Sequence, residues 1–336
     1  MRTRWVSVTA LGSVVALACG SSGSNGSATD AGPGGSETST RLDSSTGPKH
    51  DAAPGADASM VDAGPIGGSR PAMFHVPPSY KAGTAMPLVV MLHGYGASGL
   101  LEEFYLQLTP LSDSRGFLYA YPDGTRDALG NRFWNATDAC CDFGEPKVDD
   151  STYLSNLITQ ISAHYTVDPK RVFLFGHSNG AFMSYRMACD HGDQIAAIVS
   201  LAGAMWEDTS KCAATKPVSI LEIHGTADTT ILYDGGSTDV VLEGGMIGGT
   251  YPGAVTTVND WVKFDGCSAT PDTSSPNLDL DSVLPGAETN VTKFAMGCKP
   301  GGHAELWTIQ GGMHLPTLSS TFAPDAIDFL FAHPKP

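Results

Sequence analysis

The sequence has no apolar run approaching the roughly 20 residues that a bilayer-spanning helix needs. Its best candidate, Val6 to Ala18, is far shorter. Positive charge is also scarce: 19 Lys and Arg stand against 35 Asp and Glu, a formal net charge of −16. That balance excludes general electrostatic binding to nucleic acid or anionic lipid. No two cysteines have the Cys-x-x-Cys spacing of a zinc or redox site, so no metal is expected. No structural repeat is visible, and no segment reads as a separate polymer-binding or propeller-like partner domain.

The short apolar run follows Arg2 and Arg4 and ends in Ala16-Leu17-Ala18-Cys19-Gly20. A positive start, a short apolar core and small residues before a Cys resemble a bacterial lipoprotein signal, residues 1–19, with Cys19 as the lipidated residue. The alternative is an ordinary secretory signal with an incidental Cys. Either one exports the protein, and the lipid would be its only membrane contact. Residues 20–69 are almost entirely Gly, Ser, Ala, Asp, Thr and Pro. Such a stretch buries too little apolar surface to offset its ordering entropy and reads as a disordered tether. A catalytic domain is expected over 70–336.

Within that domain, strand-like and helix-like segments alternate. Met73 to Val76, Pro87 to Leu92, Gly116 to Tyr121, Arg171 to Phe175, Ile195 to Leu201, Val218 to Ile223 and Glu305 to Ile309 read as strands. Ser151 to Tyr165, Ala181 to Cys189, Val255 to Phe264 and Ala323 to Phe331 read as helices, and Asp168-Pro169 as a turn. The alternation predicts an α/β fold: a mainly parallel central sheet with helices on both faces. Sites in such sheets form beyond the carboxyl ends of the strands.

Gly176-His177-Ser178-Asn179-Gly180 is the one G-x-S-x-G in the chain. It follows a strand and opens a helix, the setting of a nucleophile elbow, where a strained turn lifts the Ser hydroxyl clear of the sheet. A helix N-cap is the plainer explanation of such a Ser. A Ser hydroxyl needs a base and an orienting acid, here expected in the chain order Ser, acid, His. His314 follows the strand Glu305 to Ile309, whereas His303 precedes it, at the wrong end of the sheet. Asp228 follows the strand Val218 to Ile223; Asp234 and Asp239 are weaker candidates. His177 and His224 read as structural residues satisfying backbone groups. The amides at Tyr95 and Asn179 are the expected oxyanion donors. The same loop, Gly94 to Gly99, matches G-x-G-x-x-G with Asp123 further on, a dinucleotide fingerprint. An exported chain has little access to such a cofactor, so no cofactor is expected.

These pieces resemble the esterase family of polyhydroxybutyrate depolymerases and feruloyl or acetyl-xylan esterases, of the α/β-hydrolase superfamily. The matching stretches are Pro87 to Gly99, Tyr121 to Gly124, Trp134-Asn135, Cys140-Cys141, Val148 to Asp150, Gly176 to Met183, His224 to Asp228, Trp261, Cys267, Cys298 and Gly311 to His314. The resemblance implies a single-domain, cofactor-free α/β hydrolase with Ser178, Asp228 and His314 as its triad. It also implies a Cys267–Cys298 disulfide. The chain departs from the family after the triad histidine: His314-Leu315-Pro316 replaces a His-x-Trp-Pro pattern. For Cys140, Cys141, Cys189 and Cys212, geometry disfavours the vicinal pairing and leaves two others.

The implied chemistry is two-step acyl transfer on an ester, from a polyester or a plant-wall ester. A peptidase on the same fold and a surface-binding protein without catalysis are the competing classes. Trp134, Trp206 and the Gly-rich segment 235–253 are candidates for the substrate rim. Oligomeric state is not legible.

Overall fold

The computed structural model describes residues 65–142, 148–214, 216–238, 240–242 and 245–336. Residues 1–64, with the expected signal segment, Cys19 and most of the expected tether, lie outside the described residues. The chain divides into two units, Met1–Ser59 and Met60–Pro336, and the described residues all belong to the second.

Composition puts the tether's end at 69, but ordered contacts begin slightly earlier. Gly67 N donates to Gln160 Oε1 at 3.0 Å, Ala72 N to Ile66 O at 2.9 Å, and Ile66 packs against the core. A single apolar residue in a polar stretch is enough to dock that turn.

Eight strands form one sheet: β1 (Met73–His75), β2 (Met86–Leu92), β3 (Leu118–Tyr121), β4 (Val167–His177), β5 (Ala197–Leu201), β6 (Ser219–Gly225), β7 (Thr289–Phe294) and β8 (Ala304–Ile309). Their order is β1-β3-β2-β4-β5-β6-β8-β7. The six inner strands are parallel, and only the edges β1 and β7 run antiparallel. This is the α/β-hydrolase arrangement. The strands are apolar throughout because both faces are covered. Along β2, Leu88, Val90 and Leu92 enter one core, while Val89 and Met91 enter the other. The first face carries α3 (Asp150–His164), α4 (Asn179–Asp190) and α5 (Ala254–Asp265). The second carries α1 (Gly99–Leu106), α2 (Leu108–Arg115) and α6 (Phe322–Ala332). Each fully buried Leu, Val or Phe contributes on the order of 1.5–3 kcal/mol, so two such cores hold the sheet rigid under the site.

Several local features differ from expectation. Asp168 and Pro169 lie inside β4 rather than in a turn. They fall in the register shift between the Met86–Val167 and Leu88–Val172 pairs, where Pro169 removes no ladder hydrogen bond. Helix α1 carries Leu100, Leu101 and Phe104 exposed, which hides its periodicity in the sequence. The segment 235–253 forms short ladders, 235–237 with 250–252 and 240–242 with 245–247.

Three disulfides occur among the described residues: Cys140–Cys141, Cys189–Cys212 and Cys267–Cys298. The first corrects the exclusion of the vicinal pair. That exclusion assumes a trans peptide, with Cα atoms about 3.8 Å apart. Here the peptide is cis and the Cα atoms lie 3.0 Å apart.

Candidate active site

Strand β4 ends at His177, and α4 starts at Asn179, leaving Ser178 alone in the turn with φ 53° and ψ −119°. A residue with a Cβ pays steric energy there, of order 1–3 kcal/mol, so the surroundings must hold it. Ser178 N donates to Leu201 O at 2.8 Å at the end of β5. Two glycines permit the close approach: a Cβ on Gly176 would lie 2.1 Å from Gly180 O, and one on Gly180 only 2.0 Å from Leu92 O. The hydroxyl therefore stands at the carboxyl edge of the sheet.

Two loops close on it. After β8, Gly311 turns the chain at φ 81°, and its amide donates to Thr226 Oγ1 at 2.8 Å. Ala227 N donates to Gly312 O at 2.9 Å, so the loop after β6 is stitched to the loop after β8. This brings His314 Nε2 to 2.9 Å from Ser178 Oγ and His314 Nδ1 to 2.7 Å from Asp228 Oδ2. Asp228 Oδ1 accepts the amides of Thr230 (2.7 Å) and Ile231 (2.9 Å). Asp234 sits in the turn before the 235–237 strand, and Asp239 lies outside the described residues.

Burial pushes the Asp228 carboxyl up, but hydrogen bonds from His224 and His314 outweigh it and hold the group well below the usual carboxylate range. Burial dominates at His314 and lowers its pKa below 6.5, against the hydrogen bond to Asp228 and with help from His177 and His224 nearby. A neutral His314 next to an ionised Asp228 is the state a general base needs.

The loop after β2 supplies the backbone facing Ser178. His93 Nε2 accepts the amide of Gly124 at 2.9 Å, so its Nδ1 must carry the proton and donate to Gly94 O at 2.8 Å. Ala97 N also donates to Gly94 O, at 3.1 Å. Both bonds hold the Gly94–Tyr95 peptide with its carbonyl turned into the loop. In a trans peptide the Tyr95 N–H then points the opposite way. Asn179 is the first residue of α4, where an amide has no intrahelical acceptor. Its side chain is fully occupied, with Oδ1 accepting Trp134 N at 2.7 Å and Nδ2 donating to Trp134 O at 2.9 Å. Asp123, the acid of the fingerprint-like pattern, folds back on this loop. It accepts Gly99 N at 2.9 Å and pairs with Arg132 at 2.8 Å.

Trp134 and Trp206 are not on the rim. Trp134 is fully buried, with Nε1 donating to His93 O at 3.1 Å, and so braces the loop after β2 from below. Trp206 is also buried, 5.9 Å from the Arg186 guanidinium. The 235–253 ladders dock on the 138–139 backbone through Thr238 and Gly249. The cavity at Ser178 and His314, about 490 Å³, is walled instead by Tyr95, Leu101, Phe104, Tyr105 and Leu315. A larger cavity of about 710 Å³ adjoins it beyond Tyr105 and Leu315 but is lined by none of Ser178, Asp228 and His314.

Two buried carboxylates escape a reading of the sequence. Glu102 lies against His177, and Glu222 against His224, each at 3.0 Å. The histidines thus face carboxylates as well as backbone. His224 Nδ1 faces Glu222 Oε1, Nε2 faces Ile231 O at 2.8 Å, and Asp228 Oδ2 is 3.5 Å away. With acceptors on both sides the ring is favoured in its doubly protonated form: burial opposes the charge, but Asp228 and Glu222 push its pKa up to about 9. No spacing in the sequence marks Glu102, since helical periodicity in α1 is obscured. Glu222 could have been noticed as a charge inside an otherwise apolar strand.

Comparison with known proteins agrees with this architecture. Residues 79–238 match the phospholipase/carboxylesterase family. Feruloyl esterase B of Piromyces equi is 30% identical over 248 residues, covering 73% of this chain and 42% of that protein. The bifunctional acetylxylan esterase/xylanase XynS20E of Neocallimastix patriciarum is 30% identical over 147 residues (44% and 20%). Poly(3-hydroxyalkanoate) depolymerase C of Paucimonas lemoignei is 28% identical over 153 residues (42% and 32%). The chain thus spans less than half the length of each of these relatives. Among solved structures, the acetyl xylan esterase from Aspergillus awamori superposes with a TM-score of 0.52 at 17% identity, covering 76% of this chain and 93% of that one.

Proposed function

We propose that this chain, which has the α/β-hydrolase fold and is similar over part of its length to carboxylic ester hydrolases, is an exported serine esterase acting through an acyl-enzyme. One observation carries this reading: the continuous chain from Ser178 Oγ to His314 Nε2 (2.9 Å) and from His314 Nδ1 to Asp228 Oδ2 (2.7 Å), at the floor of an apolar cavity.

His314 accepts the Ser178 proton as Oγ attacks the ester carbonyl. Asp228 holds the imidazole in the tautomer that accepts at Nε2 and stabilises the imidazolium that forms. The amides of Tyr95 and Asn179 receive the oxyanion. His314 then returns the proton to the departing alcohol. Water, activated by the same His314, attacks the acyl-enzyme and releases the acid.

The wall of Tyr95, Leu101, Phe104, Tyr105 and Leu315 favours an apolar or aromatic group next to the ester. Leu315 stands where the family pattern leads to a tryptophan, so the acyl preference is set here by smaller, aliphatic surface. The substrates proposed are those of the relatives: feruloylated or acetylated plant-wall esters and polyhydroxyalkanoate esters. Export rests on the N-terminal signal pattern, and lipidation at Cys19 on the small residues before it.

The experiment compares product release by the full chain from feruloylated xylan, acetylated xylan, polyhydroxybutyrate and a short activated ester, with Ser178→Ala as control. Release from one natural substrate that vanishes in Ser178→Ala establishes the class. Full activity in Ser178→Ala would sink the assignment.

A further inference from the structure

The site holds a carboxylate that the reaction above does not use. Glu102, in the first turn of α1, is 4% exposed and reaches three structural units at once. Its Oε2 accepts the amide of Gly94 at 3.1 Å, in the loop that carries Tyr95. Its Oε1 lies 3.0 Å from His177 Nδ1, on the residue before the nucleophile. This contact is an ion pair set off the ideal hydrogen-bond line, and neither atom has a hydrogen-bond partner among the described residues. His177 Nε2 faces the carbonyl of His314 at 3.3 Å. The chain Gly94–Glu102–His177–His314 therefore links the oxyanion loop, the elbow and the histidine loop.

Resting on the serine-esterase reading, we infer that Glu102 and His177 are positioning residues, a buried ion pair that sets the oxyanion loop against the elbow and keeps a cation beside His314. Both nitrogens of His177 face acceptors, so the ring is satisfied only when both carry protons. That imidazolium needs a counter-charge, because it is almost wholly out of water. Its ring centroid is 5.3 Å from that of His314. The groups facing His177 are Glu102, with Tyr105 of α1 at 5.7 Å between centroids, and His314 and Asp228 of the triad; His93 faces Glu102. The charge on His177 opposes protonation of His314, in the same direction as burial.

An acid in the first turn of α1 complements the helix dipole, but that role requires neither burial nor a cationic partner. Glu103, its neighbour, has a plain structural role, accepting the amides of Leu108 and Thr109 at the start of α2. Among the described residues, Glu102 accepts no amide of its own helix or of α2 and instead points into the site, toward Gly94 and His177.

Glu102→Gln separates positioning from bulk structure. The amide oxygen can keep the Gly94 bond, while the NH2 faces His177 Nδ1 and forces the ring neutral. Removing the cation beside His314 raises the His314 pKa, so the acid limb moves to higher pH. The shift expected is on the order of 0.5–1 pH unit. The value of kcat should fall about 10-fold with KM nearly unchanged, as for a disturbed oxyanion donor.

The limb is read two ways on the full chain: as kcat/KM for a short ester, and as the rate at which a fluorophosphonate labels Ser178. Labelling needs only a competent Ser178–His314 pair, so it reports on Glu102 even if no natural ester is ever cleaved. His177→Gln, which also deletes the cation, is the second variant should Glu102→Gln not fold, as judged by its thermal transition. An upward shift of the labelling limb supports the inference. A limb that stays at the parent's pH in a folded variant overturns it, whatever the melting temperature does.

Discussion

Asp228→Asn is the most informative perturbation of the proposed triad, because the surroundings dictate how the new amide must sit. Oδ1 of Asp228 accepts two backbone amides, from Thr230 and Ile231, at 2.7 and 2.9 Å. Only an oxygen can occupy that position, so the NH2 of Asn must take the place of Oδ2. There it faces His314 Nδ1, now 2.7 Å from Oδ2. Nδ1 must become the acceptor, the proton moves to Nε2, and the ring loses the lone pair that takes the Ser178 proton. Flipping the amide would strand the buried N–H of Ile231, at about 1–3 kcal/mol, and the half-buried one of Thr230, so the wrong tautomer wins. Triads with this defect lose about 10⁴ in kcat, equivalent to about 5.4 kcal/mol. The assay is steady-state hydrolysis of a short activated ester at pH 8, with near-ultraviolet circular dichroism to check the fold. A folded Asp228→Asn protein that loses less than about 10-fold would refute the reasoning, since Asp228 could not then be orienting the base.

Three further outcomes follow from the same contacts. Because burial lowers the His314 pKa and the neutral form is the base, activity should persist as pH falls through 6.5 and decline only below it. A pH–rate profile whose acid limb centres above 7 contradicts this. Gly180→Ala places a Cβ 2.0 Å from Leu92 O between packed backbones. It should cost at least about 2 kcal/mol and lower the melting temperature by about 5 °C or more, measured by calorimetry. Replacing Cys189 and Cys212 together by Ala opens a crosslink between residues 23 apart, which should cost about 3 kcal/mol in a denaturant titration. An unchanged midpoint would mean that the link adds no constraint.

The sequence alone determined the parts of this protein whose signal is local. Apolar runs separated by glycine and turn residues mark the inner strands, because a parallel sheet covered on both faces must be apolar along its length. The Gly176-His177-Ser178-Asn179-Gly180 spacing marks the elbow, because only glycine fits the backbone contacts that Gly176 and Gly180 make. Chain order and strand ends singled out Asp228 and His314 among the other acids and histidines. Tertiary structure decided what depends on residues far apart in the chain. Trp134 is amphipathic and reads equally well as a rim or a core residue, and only its packing under His93 settles that it braces a loop. The helix carrying Glu102 exposes its leucines, so no periodicity announces it, and its carboxylate gains meaning only from Gly94 and His177. The pairing of Cys140 with Cys141 and of Cys189 with Cys212 is likewise decided only in the fold, since four cysteines in a sequence allow several pairings. Burial and neighbouring charge set the protonation of His177, His224 and His314, and those are properties of a folded interior, which no stretch of sequence contains by itself.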